Sequence, residues 1–385
     1  MGKEKWPSVS VIVPVYNQER FITRCMDSLL NQDYPPEKLE IIVVDNNSQD
    51  NTPRILKKYR EKGVKILKEN KRGPAAARNR GIKESKGEII AFTDADCEAS
   101  RFWIKSLIKG FEENGVDAVA GISIFCGEKG YISRVLEKRG FDNLIKNSLR
   151  TGKWISWAPT RNFAVKKEIL KKLGGFCEEF THPADEDIEL CLRMQKNGYR
   201  IRFVSEATVF HHRAEYLTLR KSIKKCFWEG FSHCLLLLKF PEKRKISPFP
   251  TLAISLFFLH TIGAIFLLPS HPLSMLAPFI FLLFYFLFKY LFSFPYIRKS
   301  PFYTLSQPAT GDPLEFFLSQ ILFFSQEIGF LSACFKYRKL NYFFSRFIPE
   351  ENFLPKGKST GWQDASSLLF SLILSFYYLW KCIHP

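Results

Sequence analysis

The chain lacks any pair of cysteines at the C-x-x-C spacing, although nine cysteines are spread over its 385 residues. Scattered single cysteines exclude the usual zinc-ribbon pattern and do not form the framework of a small disulfide-rich protein. We therefore expect reduced, mostly buried thiols of a cytosolic compartment. Internal repeats and low-complexity segments are also absent, so solenoid and fibrous architectures are not indicated.

Acidic residues are outnumbered by basic residues. The sequence has 38 Asp and Glu against 56 Lys and Arg, a formal net charge of +18. Such an excess is typical of nucleic-acid-binding proteins, but the chain has no basic RNA-binding motif, and we expect no nucleic acid partner. The basic residues lie instead beside apolar segments. The polar N-terminus runs directly into an apolar run and predicts no cleavable signal peptide.

Strands and helices alternate at the start of the chain. Apolar, β-branched runs predict strands over residues 9–15, 39–45, 64–67 and 87–92. Helical spacing predicts helices over 19–30, from about 50 to 59, and over 74–84. This rhythm predicts an α/β domain with a mostly parallel sheet, whose strand ends bring Tyr16, Asp45 and Asp94 to one edge.

Two carboxylates, Asp94 and Asp96, follow the fourth predicted strand. Ligands gather beyond the carboxyl ends of strands in open α/β sheets, and hard cations such as Mg²⁺ prefer oxygen ligands. The pair therefore favours a divalent cation that holds a nucleotide diphosphate. Taken alone, an acidic pair after a strand is more typical of a solvated turn, and it is the accompanying motifs that favour the cation.

The order of several motifs resembles the family 2 glycosyltransferases, which have the GT-A fold. The resemblance extends over roughly residues 8–215, and the rest of the chain is only loosely similar to membrane-attached members. The motifs are VIVPVYN at 11–17, VVDNNS at 43–48 with Asp50, RGPAAARNRG at 72–81, DAD at 94–96, GGF at 174–176, DEDIELCLR at 185–193 and GYR at 198–200.

The resemblance implies a donor site and a metal site. It implies Mg²⁺ or Mn²⁺ bound by Asp96, Asp94 and His211, although a histidine at a strand end is often structural. Asp45 would otherwise be a helix cap and Arg72 a solvated cation. The donor, a nucleotide-diphosphate sugar with UDP favoured over GDP, would be bound by Pro14, Tyr16, Asn17, Asp45, Asn47, Arg72, Arg78, Asp94 and Asp96.

The resemblance also implies the catalytic and acceptor residues of an inverting transferase. Asp187 would be the base that removes a proton from a sugar hydroxyl, with Glu186 as its acidic partner. Acidic residues at this position also suit the start of a helix. Trp157, Arg161 and Asn162 would line the acceptor side, although a tryptophan is as readily a core residue.

The second part of the sequence predicts a membrane region after a catalytic domain over residues 1–215. Basic and aromatic residues over 216–246 predict an interfacial amphipathic helix and linker, unless they form an ordinary surface helix. Within 247–385, apolar runs predict spans over 249–268 and 273–294. The interrupted run over 314–335 favours an amphipathic or re-entrant helix over a span, and 366–383 has nearly spanning length.

These features predict an integral membrane protein of the cell membrane with a cytosolic catalytic domain, because the flanking basic residues share one side. Its predicted activity is sugar transfer to a hydroxyl of a lipid-linked glycan. An alternative within the class is a polyprenyl-phosphate sugar synthase, whose acceptor is already an anion and needs no base. An alternative outside the class is a non-catalytic membrane scaffold.

Overall fold

The computed structural model describes residues 6–126, 153–212, 218–246, 275–285, 313–342 and 345–347, together with 256, 257, 259, 261, 262 and 265. The described residues up to 212 belong to one compact unit, and those from 218 onward belong to a second.

The first half of the first unit is a parallel sheet with helical connections. Its elements are β1 (Val9–Val15), α1 (Ile22–Leu30), β2 (Leu39–Asp45), α2 (Thr52–Arg60), β3 (Lys65–Lys68), α3 (Pro74–Glu84) and β4 (Ile89–Phe92). β1 lies between β2 and β4, and β3 lies outside β2, all parallel. The predicted alternation is confirmed here, because nearly every residue of β1, β2 and β4 is buried as a sheet covered on both faces requires.

The second half of this unit makes the sheet mixed. Its elements are β5 (Cys97–Ala99), α4 (Trp103–Gly110), β6 (Ala118–Cys126), β7 (Trp154–Ile155), β8 (Phe163–Lys166), α5 (Lys167–Leu173), α6 (Glu186–Lys196) and β9 (Ile201–His212). The strand order is β3-β2-β1-β4-β8-β6-β9-β5, with β7 beside β9.

The prediction of a mostly parallel sheet needs correction in this half. β8 runs antiparallel to both β4 and β6, and β9 runs antiparallel to β5 and β7 while remaining parallel to β6. The regular alternation of strand and helix ends after β4, because β5 follows β4 with no helix between them, and a parallel connection requires a crossover such as a helix. Trp103, Phe92 and Phe163 are fully buried in the core of this unit.

The second unit contains a pair of packed helices, α7 (Leu219–Lys239) and α8 (Pro313–Lys336), and a short antiparallel pair, β10 (Arg244–Ile246) with β11 (Ser345–Phe347). The helices approach so closely that a Cβ on Gly230 would lie 1.7 Å from the carbonyl oxygen of Gln326. A Cβ on Gly329 would likewise lie 1.8 Å from the carbonyl oxygen of Phe227. Glycine is therefore required on both helices at this crossing.

The membrane prediction concerns residues that are mostly outside the described part of the chain. The predicted spans at 249–268 and 273–294 are described only at scattered positions and over 275–285, and 366–383 is not described. The predicted helix at 314–335 corresponds to α8. Among the described residues, no helix is both long enough and apolar enough to cross a membrane.

Candidate active site

The loop between β4 and β5 brings Asp96 next to His211. β5 pairs antiparallel with the end of β9, with Cys97 opposite His211. The backbone N–H of His212 donates to the carbonyl of Asp96 at 2.8 Å, which fixes the loop against β9. As a result, Oδ2 of Asp96 lies 3.0 Å from Nε2 of His211.

This pair of atoms fits a divalent cation. Two adjacent ligands of an octahedral Mg²⁺ or Mn²⁺ with bonds near 2.1 Å lie about 3 Å apart. Although burial opposes it, the nearby His211 ring lowers the pKa of the Asp96 carboxyl below its ordinary value, so this carboxyl group is ionised near neutral pH. The thiol of Cys97 shares the cluster with Asp96 and His211. Burial raises its pKa well above the ordinary value, so it stays a neutral thiol that suits a hard cation poorly.

Asp94, the other carboxylate of the D-x-D motif, contacts an arginine instead. Its Oδ1 accepts a hydrogen bond from Nη2 of Arg78 at 2.9 Å, and about a third of its side chain is exposed. The side chain of Arg78 is only 4% exposed, and its Nη1 donates to Oε1 of Glu186 at 2.6 Å. The ring of Phe176 lies 5.5 Å from the guanidinium carbon. The structure therefore places Arg78 inside the domain, between the D-x-D loop and α6.

The start of α6 supplies a buried carboxyl group, that of Glu186, and a half-buried one, that of Asp187. Asp185 precedes the helix with a left-handed φ of 67°, and Glu186 and Asp187 form its first turn. Burial raises the pKa of Glu186 to about 7 despite the attraction of Arg78. Burial also raises the pKa of Asp187 above the ordinary aspartate value. A carboxyl group whose pKa is raised toward neutrality is suited to proton transfer.

The ends of β1 and β2 form the predicted donor side. Tyr16 is 49% exposed, whereas Asp45 is 7% exposed and its Oδ1 accepts the backbone N–H of Ser48 at 3.0 Å. Asn17 Oδ1 accepts the backbone N–H of Gln49 at 2.7 Å, so the two strand-end loops are joined. Pro14 is half-buried in β1, and Asn47, like Asn17, has a positive φ. The ends of β1 and β2 thus lie beside each other, as the strand-end argument expected for Tyr16 and Asp45, and the donor-binding roles of these residues stay predictions.

Asn46 is a site residue that the sequence analysis missed. Its Nδ2 donates to the carbonyls of Glu69 (2.9 Å) and Lys71 (2.7 Å), and its Oδ1 accepts the N–H of Gly73 at 2.9 Å. One buried side chain therefore shapes the whole loop that carries Arg72. The sequence could have indicated this role, because Asn46 directly follows Asp45 at the end of a predicted strand.

The loop over residues 69–73 also contacts the segment that leads to α6. Arg72 is exposed at this loop, which suits a group that meets an anionic ligand. Lys71 forms an ion pair with Glu178, which also accepts from Asn79 at 2.8 Å. Gly73 has a φ of 122°, and a Cβ there would lie 3.1 Å from the Cα of Thr181. Glycine is therefore needed for this close approach.

The predicted acceptor residues lie deeper than expected. Trp157 is 7% exposed and Arg161 is 9% exposed, with its guanidinium 5.3 Å from the ring of Phe125. Asn162 is fully buried. Its bonding partners are Trp103 Nε1, which donates at 2.8 Å, and the carbonyls of Ile122 and Ala207, which accept at 2.8 and 2.9 Å. Asn162 therefore links α4, β6 and β9, and the acceptor roles of all three residues stay predictions.

His212, the neighbour of His211, takes part in a different cluster. Its Nε2 lies 3.1 Å from Oε2 of Glu98, its Nδ1 lies 3.0 Å from Nη1 of Arg24, and its ring stacks on Phe21. Because successive residues of a strand point to opposite faces, His211 and His212 cannot serve the same site. The geometry favours His211 for the metal.

Comparison with known proteins identifies the family of this chain. Residues 10–174 match the model of the family described as glycosyl transferase family 2. The glycosyltransferase AglE of Haloferax volcanii is 31% identical over 208 residues, which are 53% of this chain and 67% of AglE. The glucosyl-dolichyl phosphate glucuronosyltransferase of the same organism is 24% identical over 61% of this chain and 79% of that enzyme.

A solved structure is similar as well. The mannosyltransferase PcManGT of Pyrobaculum calidifontis, in complex with GDP-Man and Mn²⁺, is 26% identical with a TM-score of 0.47, over 59% of this chain and 63% of that chain. Other curated relatives are matched over smaller shares of their own length, 51% and 20% in two cases. Such partial overlaps leave the donor and the acceptor to be inferred from the site.

A mixed α/β sheet with a D-x-D loop at its edge and a carboxylate pair at a helix start defines a glycosyltransferase of the GT-A type. The chain belongs to glycosyl transferase family 2.

Proposed function

We propose that this enzyme transfers a sugar, with inversion and with a divalent cation, from a nucleotide-diphosphate donor to a hydroxyl of a lipid-linked acceptor at the cytosolic membrane face. The observation that supports the chemistry most directly is the position of Glu186 and Asp187. Glu186 is bridged through Arg78 to Asp94, which lies two residues from Asp96 of the Asp96–His211 pair, and Asp187 follows Glu186 in the first turn of α6.

The donor side is supported by the strand-end residues. Tyr16 offers an exposed ring on which a base can pack, and the buried carboxylate of Asp45 offers an acceptor for a base N–H. The imide N–H of uracil is such a donor, which favours UDP. The exposed Arg72 is suited to the diphosphate. The chemistry that a cation bound at Asp96 and His211 supplies is stabilisation of the negative charge on the leaving diphosphate.

The transfer itself is a single displacement. The acceptor oxygen forms a bond to the anomeric carbon while the bond from that carbon to the diphosphate oxygen breaks. The proton of the hydroxyl passes to Asp187, whose raised pKa suits it as a base. The nucleoside diphosphate leaves with the electron pair, and one displacement inverts the anomeric configuration. An acceptor that is already a phosphate anion needs no such base, so the carboxyl groups of Glu186 and Asp187 favour a hydroxyl acceptor over the polyprenyl-phosphate alternative.

The lipid and the membrane are inferred from the rest of the sequence. Apolar runs at 249–268 and 273–294 have spanning length, and basic residues flank them on one side. One relative is a glucosyl-dolichyl phosphate glucuronosyltransferase, whose name specifies a lipid-linked sugar acceptor. Together these observations support a lipid-linked acceptor and a cytosolic catalytic domain.

The direct test is a panel of UDP- and GDP-sugars assayed for thermal stabilisation and nucleotide release, with Mn²⁺ or with EDTA. We expect a UDP-sugar to stabilise the protein and to release UDP only when the cation is present. Turnover that is unchanged in EDTA would reject the cation. If dolichyl or polyprenyl phosphate accepts the sugar and its glycosylated forms do not, the phosphate-acceptor alternative replaces the proposed activity.

A further inference from the structure

Arg78 lies between carboxylates from two distant parts of the chain. Its Nη2 donates to Asp94 at 2.9 Å, and its Nη1 donates to Glu186 at 2.6 Å. Asp94 belongs to the loop that also carries Asp96, and Glu186 precedes Asp187 on α6. A single planar guanidinium therefore connects the loop of the proposed metal pair to the helix that carries the proposed base.

The guanidinium is also fixed on its face. Phe176 lies under it, with the ring centroid 5.5 Å from the guanidinium carbon. The backbone of Phe176 is held by the neighbour of Arg78, since Asn79 Oδ1 accepts its N–H at 2.8 Å and Asn79 Nδ2 donates to its carbonyl at 2.9 Å. Two edge hydrogen bonds and one ring contact leave the group little freedom to rotate.

Arg78 and Arg72 differ in their exposure to solvent, and this difference indicates different roles. The side chain of Arg78 is 4% exposed, and both of its terminal nitrogens donate to protein carboxylates. Arg72 is exposed and lies on the loop over residues 69–73. Of these two arginines, Arg72 is the one placed to meet a diphosphate that enters from solvent.

We propose that Arg78 is a positioning residue that sets the distance between the donor-side Asp94 and the catalytic Glu186–Asp187 pair, so that its loss slows the chemical step rather than weakening donor binding. This inference rests on the proposed function of Asp187. Without the guanidinium, two carboxylates face each other without a cation, and the loop and the helix lose their common anchor. A misplacement of about 1 Å is enough to reduce a rate about 10²-fold.

Lysine cannot reproduce this link. An ammonium group is a point charge, whereas the planar fork of arginine reaches two carboxylates in a fixed geometry. We therefore expect Arg78→Lys to keep the charge and the fold but to lose much of the rate. Arg78→Met removes both charge and link.

The test is a double-mutant cycle with Arg78→Met, Glu186→Gln and the double variant, with Arg78→Lys as the milder change. Dissociation constants of UDP with Mn²⁺ are measured by calorimetry, with GDP in its place if the donor panel selects a GDP-sugar. Turnover is measured as nucleotide release from the selected donor, and thermal melting checks the fold. Arg80→Met is the matched control, because Arg80 lies on the same helix, forms an ion pair with Glu84 one turn further along it, and has 39% of its side chain exposed.

We expect kcat to fall about 10²-fold in Arg78→Met while the dissociation constant of UDP with Mn²⁺ changes less than about 3-fold. Arg80→Met should behave as the wild type. The double variant should be no slower than the slower single variant, because Arg78→Met removes the guanidinium and Glu186→Gln removes the negative charge of the same ion pair.

Two results would overturn the proposal: a weaker UDP complex with unchanged kcat in either Arg78 variant, or losses that multiply in the double variant. If Arg78→Met does not fold, Arg78→Lys with Glu186→Gln completes the cycle. A failure of the proposed function can be told apart from a failure of this inference. If Asp187 is not the base, Asp187→Asn transfers the sugar at the full rate, whatever the outcome of the Arg78 cycle.

Discussion

Oδ2 of Asp96 lies 3.0 Å from Nε2 of His211, and two residues along the chain the carboxylate of Glu98 lies 3.1 Å from Nε2 of His212. A carboxylate–imidazole pair thus occurs twice, and its two histidines, which are successive residues of β9, point to opposite faces of the sheet. The first pair is buried beside the D-x-D loop. The second is partly exposed and also contacts Arg24. The second pair is therefore an internal control for the first.

The first prediction concerns the proposed metal. Asp96→Asn removes a charged oxygen ligand, so turnover should fall by about 10² to 10³-fold and the thermal stabilisation by Mn²⁺ should disappear. Glu98→Gln should keep its turnover within about 2-fold of the wild-type value and should keep the stabilisation by Mn²⁺, because it alters only the Glu98–His212 pair. Thermal melts with and without Mn²⁺, together with nucleotide release, measure the two effects. Full turnover of the Asp96 variant in EDTA would contradict the assignment.

The second prediction separates binding from chemistry. Asp187→Asn keeps the shape of the side chain but cannot take a proton, so transfer should fall by about 10² to 10⁴-fold. The affinity for UDP with Mn²⁺ should stay near the wild-type value. Glu168→Gln is the control, since Glu168 is an acidic residue in the first turn of α5 and its change alters only the charge at a helix start. A decrease of the same size in both variants would point to a general charge effect.

The sequence was sufficient to predict the positions that depend on strand ends. Asp45 and Asp96 lie at the sheet edge because parallel strands place their carboxyl ends together. The sequence was not sufficient to predict the contacts of Arg78 or Asn162, because each side chain is hydrogen-bonded to residues at least 16 positions away in sequence. Spacing along a helix or strand contains no information on such partners. The mixed half of the sheet escaped prediction for the same reason, since antiparallel pairing of β8 with β4 joins segments about 70 residues apart.

The third prediction follows from the pKa of Glu186, which burial raises to about 7 from an ordinary value of 4.5. The folded state then binds a proton that the unfolded state has released between these two values. The contribution of Glu186 to stability is therefore present in full below about pH 4.5 and is lost as the pH rises through about 7. Over that window the loss is on the order of 1 to 3 kcal/mol.

Glu186→Gln cannot titrate, so the difference in unfolding free energy between wild type and variant should shift in favour of the variant as the pH rises from about 4.5 to about 7.5. Urea unfolding at several pH values measures this difference. A difference that stays constant with pH would contradict the raised pKa.

The fourth prediction concerns Asn46. Asn46→Ala leaves three backbone groups of the loop over residues 69–73 without their partner, so the protein should lose about 2 to 4 kcal/mol of stability and bind UDP with Mn²⁺ more weakly. Asn51→Ala is the matched control, because the Asn51 side chain is exposed and donates to Glu19, at 3.0 Å, away from this loop. Equal effects of the two changes would mean that the loop does not depend on Asn46.

The last prediction tests the membrane arrangement that the sequence implies. Two spans over 249–268 and 273–294 would return the chain to the side on which it entered, and basic residues between 336 and 358 favour the cytosol for the segment after the second span. Ser359→Cys places a reactive thiol just after this basic stretch. An impermeant maleimide added to intact cells should not label it, and permeabilisation should expose it. The natural chain is the blank for background labelling of its own cysteines. Labelling of Ser359→Cys in intact cells would instead mean that the chain crosses once more before residue 359, since an odd number of crossings is needed to place that thiol outside.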